Sequence, residues 1–184
     1  MTLTISDNPP SCFPEDLFSR ILVTTSPWWV ARTRSRQEKS LAWELRNRGM
    51  AYYLPLVSRP QKNRQRMRTS IVPLFNGYLF FRGSDQDRYE AIKTGRLAQV
   101  LPVADQERLH NELAALAQIT TTRLDLELCD FMVKGQRVQI VAGPFEGLVG
   151  IVVKQKNKQR LVLQIEAIRQ AAAVEIELDQ ARPI

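Results

Sequence analysis

Between Leu45 and Ser84 the sequence holds Arg46, Arg48, Arg59, Lys62, Arg64, Arg66, Arg68 and Arg82, and no acidic residue. Arg59, Lys62, Arg64, Arg66 and Arg68 crowd into the polar segment SRPQKNRQRMRTS. Charge runs of this kind usually form solvated faces, but here no carboxylate is near in sequence to neutralise them. Guanidinium and ammonium groups at this density suit the phosphate oxygens of a nucleic-acid backbone, a contact that carries no base identity. A second chemistry follows in VPLFNGYLFF, where Leu74, Tyr78 and Phe80 alternate with Phe75, Leu79 and Phe81. Both faces of such a strand are apolar. Either helices cover both, or one aromatic face is an exposed docking patch for another protein.

Catalytic patterns are missing. The chain has no G-x-S-x-G, no phosphate-binding glycine loop with Lys and Ser/Thr, no H-E-x-x-H and no C-x-x-C. His110, the single histidine, adjoins Leu109 in a helical pattern and reads as an ordinary surface or boundary residue. Glu175, Glu177 and Asp179 alternate as the solvated side of a strand would. Cys12 and Cys129 lack metal-ligand spacing and form no disulfide framework. These residues point to a non-enzymatic protein without cofactor or metal.

The whole chain agrees with a polyanionic partner. Its 184 residues carry 26 Lys+Arg against 19 Asp+Glu, a formal net charge of +7. The N-terminus has no basic and apolar signal pattern, and no apolar run approaches the ~20 residues of a membrane span. The expectation is a reduced, cytoplasmic monomer with no membrane association.

The elements that must position these groups are α+β. Residues 1–26 form a proline-containing leader, either disordered or a short amphipathic helix behind Pro14. WWVART is a strand, and SRQEKSLAWELRNRG a helix with Ser35 and Glu38 as its capping box and Gly49 as its stop. AYYLPLV and IVPLFNGYLFFR are strands that make a long hairpin, with the basic segment projecting from its tip. Ser84 and Asp85 cap a helix closed by Gly95, RLAQVLPV is a strand, and Asp105 opens a helix aligned on Leu109, Leu113 and Leu116. This N-terminal domain spans 27–119. A linker, 120–130, becomes strand only near Phe131, and residues 131–184 form a small β-barrel with a turn near Arg169 and Gln170.

The stretch GQRVQIVAGPFEGLVGIVV, residues 135–153, contains four of the chain's 8 glycines around a turn between two β-branched runs. With WWVART and VPLFNGYLFF it resembles the NusG family of transcription elongation factors, over about residues 27–184. WWVART, the following helix and VPLFNGYLFF look like the NGN domain; the glycine-rich stretch looks like a KOW motif, with Gly147 as its central glycine. The resemblance implies an NGN-type antiparallel sheet with flanking helices, followed by a KOW small β-barrel of five strands and SH3-like form.

The family implies docking on RNA polymerase, at the β′ clamp helices and the β gate loop. By matching position, Tyr78 and Phe80 would belong to the clamp-docking surface, with Leu54 and Trp29 at its border. Arg34, Arg64 and Arg66 would face upstream DNA and the non-template strand, alongside Lys62 and Arg68 of the same basic cluster. Phe145 would be the contact through which the KOW domain recruits NusE of the small ribosomal subunit or termination factor Rho. Asn76 stands where the family usually has proline, and DRYEAIKTG lacks the His-Thr-Thr pattern of the specialised paralogue RfaH. The dense arginines nevertheless resemble an RfaH-like antiterminator that suppresses pausing. The rival readings are a ribosome-associated or RNA-binding KOW protein and an enzyme acting on nucleic acid. Finally, the glycines, Pro144 and the β-branched residues of 135–153 favour a constitutive barrel over a helical hairpin, leaving Phe145 accessible and the docking face unmasked.

Overall fold

The computed structural model describes residues 8–18, 26–63, 66–121, 126–131, 134–155, 158–176 and 180–184. The chain divides into two compact units, residues 1–107 and 108–184. No helix among the described residues is long and apolar enough to cross a membrane.

The first unit is built on a five-stranded antiparallel sheet. Its strands are β1 (Cys12–Phe13), β2 (Trp28–Thr33), β3 (Ala51–Tyr53), β6 (Tyr78–Arg82) and β7 (Leu97–Pro102), in the order β1-β3-β6-β2-β7. The register places Trp29 opposite Phe81 and Val30 opposite Phe80, so successive side chains of β2 and β6 serve opposite faces. One face, with Ala31, Tyr52, Leu79 and Phe81, packs with Leu41, Ala42 and Leu45 of α1 (Glu38–Asn47) and Ala91 of α2 (Asp85–Lys93). The i, i+1 and i+4 spacing of those three α1 residues puts them on one stripe.

Sequence signals set both ends of α2 and the C-terminal end of α1. Ser84 accepts from the Asp87 amide, and Asp87 accepts in return from the Ser84 amide, so α2 starts on a reciprocal capping box. Gly49 and Gly95 stop α1 and α2 with φ of 71° and 69°. The start of α1 differs from expectation. Its N-cap is Gln37 with no side-chain cap, because the helix begins at Glu38, one residue after the cap, where a Ser35 box cannot form. Glu38, 7% exposed, is used elsewhere: its carboxylate accepts from the Gly77 amide at 2.7 Å.

Within the leader, residues 8–18 hold a short strand and a turn and join the fold; Ile21 and Leu22 of the expected helix lie outside the described residues. β1 pairs antiparallel with β3, Cys12 opposite Tyr53 and Phe13 opposite Tyr52. The Leu54 amide donates to the Ser11 carbonyl at 2.7 Å, and the Tyr52 hydroxyl donates to the Pro10 carbonyl at 2.9 Å. Burial pushes the Cys12 thiol up to about 11, against 9.0 for a free thiol. A raised folded pKa favours the neutral thiol in the fold. That contribution is therefore complete below pH 9.0 and lost as pH rises toward 11. In a Cys129→Ser chain, Cys12 at pH 8 should react with a thiol reagent about 100-fold more slowly than an unfolded control.

The third strand expected from the sequence is divided. β4 (Leu56–Asn63) and β5 (Arg66–Pro73) form a separate two-stranded sheet, so the basic segment is itself strand and does not merely project from a tip. A turn at Leu74–Gly77 then leads into β6, with the Tyr78 amide donating to the Phe75 carbonyl at 3.2 Å and Gly77 at φ 81°. Leu74 and Phe75 are buried in that turn, which breaks the continuous alternation read from the sequence.

The second unit contains most of α3 (Gln106–Thr121), the helix that the sequence reading grouped with the N-terminal domain, and a six-stranded antiparallel sheet. The strands are β8 (Glu127–Cys129), β9 (Gln136–Ile140), β10 (Val149–Gln155), β11 (Lys158–Ile165), β12 (Gln170–Ile176) and β13 (Ala181–Pro183), in the order β13-β9-β10-β11-β12-β8. β8 and β13 end that order without pairing to each other among the described residues, so the expected closed five-stranded barrel is not the observed pairing. β8 also starts before the strand expected near Phe131, because Ala171–Ala173 of β12 pair with Glu127–Cys129.

The four glycines of 135–153 divide by role. Gly143 and Gly147, at φ 86° and 88°, make the turn between β9 and β10. A Cβ on Gly135 would strike the Val152 carbonyl, and one on Gly150 would lie 2.6 Å from Leu161 Cδ1, so these two permit close backbone approach.

Candidate nucleic-acid and protein interfaces

The basic hairpin owes its form to register. Cross-strand pairs Arg59/Ser70, Gln61/Arg68 and Asn63/Arg66 belong to one set of the β alternation, and Lys62/Met67 to the other. Positions 59, 66 and 68 are thereby gathered on one side of the ribbon by backbone register. Position 62 falls in the opposite set, and Arg64 lies outside the described residues. Arg59 completes the arginine row. Its signal was present as charge, but its partners depend on a pairing offset that spacing alone does not reveal.

The base of the hairpin is fastened to the body. The Leu74 amide donates to the Pro55 carbonyl at 2.8 Å, and Lys39 of α1 donates to the Ile71 carbonyl at 2.6 Å and to Asn8 at 2.6 Å. Desolvation lowers the Lys39 pKa, while the neighbouring Glu38 opposes that shift. Arg34 is exposed just after β2, its amide bonded to the Arg96 carbonyl at 2.8 Å.

The four residues expected to form one docking surface do not share one. Leu54 is fully buried and packs in the helix-side core, and Trp29 is half-buried against the same core. Trp29 lies opposite Phe81, on the face away from Phe80; its Nε1 donates to the Gly83 carbonyl at 3.0 Å and Arg88 stacks over its ring. Phe80 occupies the other face but is 0% exposed, as is Val30; Trp28 and Tyr53 are 1% exposed. The expectation of an unmasked aromatic face therefore fails. Large apolar rings on a sheet minimise their free energy by being covered within the chain.

Tyr78 remains half-buried on that second face. The register aligns it with Arg32, and Arg32 with Gln99, both exposed. This Tyr78-Arg32-Gln99 row is an accessible part of the face. The sequence reading missed Arg32 and Gln99, since they become neighbours of Tyr78 only through strand pairing.

The turn before Tyr78 is fixed from two sides. Glu38 holds the Gly77 amide, and the Gly77 carbonyl accepts from the Thr33 amide at 2.8 Å. Removing the carboxylate by Glu38→Ala leaves a donor without its buried partner and should cost about 1–3 kcal/mol in urea unfolding. Glu38→Gln, which keeps an acceptor oxygen, should recover at least about half of that loss.

Phe145 also departs from expectation. It is 2% exposed in the β9–β10 turn, and the neighbouring Pro144 carbonyl accepts from Gln118 Nε2 of α3 at 3.2 Å. An aromatic ring at a turn gains more by folding back under its own backbone than by standing in water. In the same unit Arg108 of α3 pairs with Glu112 at 2.9 Å and Glu166 at 3.4 Å, while Glu112 accepts from the Glu166 amide. No group of three or more His, Cys, Asp or Glu residues suited to a metal ion occurs among the described residues.

Residues 26–112 match the family model described as "Transcription termination factor nusG". That match runs from β2 through the first turns of α3, so this part of the chain is similar to the NusG family. Among solved structures, it is similar to the one titled "Domain interaction in Thermotoga maritima NusG", at 16% identity and a TM-score of 0.47, covering 86% of this chain and 97% of that one. A comparison with curated proteins gave no match.

Proposed function

We propose that this protein is a NusG-like transcription elongation factor that binds RNA polymerase and suppresses pausing or termination without catalytic activity of its own. The observation that carries this reading is the family match over 26–112, which encloses both the arginine hairpin and the Tyr78 row. The N-terminal unit would dock on the β′ clamp helices through Tyr78, bordered by Arg32, with Phe80 as its buried support. The β gate loop would lie across the cleft. Arg34 and the hairpin cations would contact upstream or non-template DNA phosphates, consistent with their uncompensated charge.

The second unit would recruit NusE or Rho in the manner of a KOW domain. Phe145 could take part only if its turn opens, because its ring is buried. Purification of the full-length protein from nuclease-treated extract tests the central claim. RNA polymerase should copurify stoichiometrically; recovery of ribosomal RNA-dependent particles instead would favour the ribosome-associated, RNA-binding alternative. A specialist of the RfaH type should change nascent transcript profiles in a few operons, and a general factor should change them genome-wide.

A further inference from the structure

We propose that Leu17 and Phe18, at the downstream end of the N-terminal strap of residues 8–18, are a displaceable cover over the aromatic half of the docking face. This inference rests on the docking reading above. Phe18 stacks on Trp28 with ring centroids 6.0 Å apart and meets Tyr53 edge-on at 5.2 Å. Leu17, beside it, is 6% exposed. Trp28 and Tyr53 flank Phe80 on one sheet face: Tyr53 pairs with Phe80, and Trp28 with the adjacent Arg82. Phe18 therefore occupies the aromatic end, while the Tyr78-Arg32-Gln99 row at the other end stays accessible.

The attachment of the strap is divided in the same sense. Upstream, β1 is zipped to β3, and Ser11 and Pro10 accept main-chain and hydroxyl hydrogen bonds. Downstream, a tight turn with the Leu17 amide donating to the Pro14 carbonyl at 3.1 Å delivers Leu17 and Phe18 onto the sheet. Opening that turn would move the two apolar residues while β1 stays paired. The occupant being replaced is thus a named segment of the chain itself, and its competitor is an apolar helical surface carrying its own aromatic or aliphatic anchor. An intramolecular cover lowers apparent affinity by the fraction of molecules in which the face is closed.

The test uses full-length protein and purified RNA polymerase assembled on a transcription bubble. Hydrogen exchange at the Leu17 amide should become faster in the complex, while the Leu54 amide, bonded to Ser11, stays protected. Phe18→Ala should bind about 3- to 10-fold more tightly than the parent, the range expected from losing aromatic contacts of this kind. Unchanged Leu17 protection in the complex overturns the proposal, even if Phe18→Ala proves unstable. A folded Phe18→Ala chain that binds no more tightly overturns it as well. Tyr78→Ala separates the two levels: weaker binding by that variant with an unmoved strap sinks the strap alone, whereas unaffected binding sinks the docking reading and the strap with it.

Discussion

Phe80→Ala is expected to lower the stability of the first unit by about 3–5 kcal/mol, the cost of removing a large ring from a packed interior. The ring is 0% exposed and is paired across the sheet with Val30 and Tyr53, also buried, so little of the void can be filled from solvent or by a mobile neighbour. The melting temperature should fall by on the order of 10 °C. Tyr78→Ala should behave differently. Tyr78 is only half-buried, and its loss should change stability by about 1 kcal/mol while weakening polymerase binding by about 2 kcal/mol, or about 30-fold. Thermal melts and binding titrations on the two single variants measure this division. Equal stability losses for both would contradict the burial on which the distinction rests.

The second large effect concerns the hairpin. Replacing Arg59, Arg66 and Arg68 together by Ala should reduce the dependence of log affinity on log salt by about 3 if each meets a duplex phosphate, and by about 2 on single-stranded DNA. On duplex, affinity between about 50 and 200 mM salt would then vary about 40-fold less than for the parent. Base preference should hardly change, because phosphate contacts position without specifying. Lys62→Ala, in the other alternation set, is the internal control: it should remove at most about one unit of slope. Titrations at four salt concentrations decide the matter, and a triple variant with the parental slope would leave the hairpin as a solvated ribbon.

Local rules made much of this fold legible. The Ser84 cap, the glycine stops after α1 and α2, and the left-handed Arg169 at the predicted turn all depend on residues within a few positions of one another. Helix formers in LQIEAIRQAAAVEIEL yielded to pairing, giving β11 and β12 around a short 3-10 turn at Glu166–Ile168. What was hidden depended on distant partners. Glu38 looked like half of a capping box because its actual partner, the Gly77 amide, is 39 residues away. The leader read as disordered or helical because an isolated Cys-Phe pair has no strand signal; β3 supplies the other half of its ladder.

The same limitation governed the site. Charge density marked the hairpin correctly as a basic element, yet only register shows which arginines share a side. Alternation separated Tyr78 and Phe80 from Leu79 and Phe81, but it could not tell that Phe80, Trp28 and Tyr53 would be enclosed. Exposure is a property of what arrives from elsewhere in the chain. Phe145 teaches this again, since a residue at the centre of a surface turn ended inside the second unit.

The two-stranded arm has an electrostatic consequence set by its length. Eight residues per strand, at ~3.4 Å rise, make a ribbon roughly 27 Å long. The Debye length is about 8 Å at physiological ionic strength, so the outer portion of the arm lies several screening lengths from its root. The potential along the outer portion is therefore set locally, by the cationic positions 59, 62, 66 and 68 of the ribbon itself.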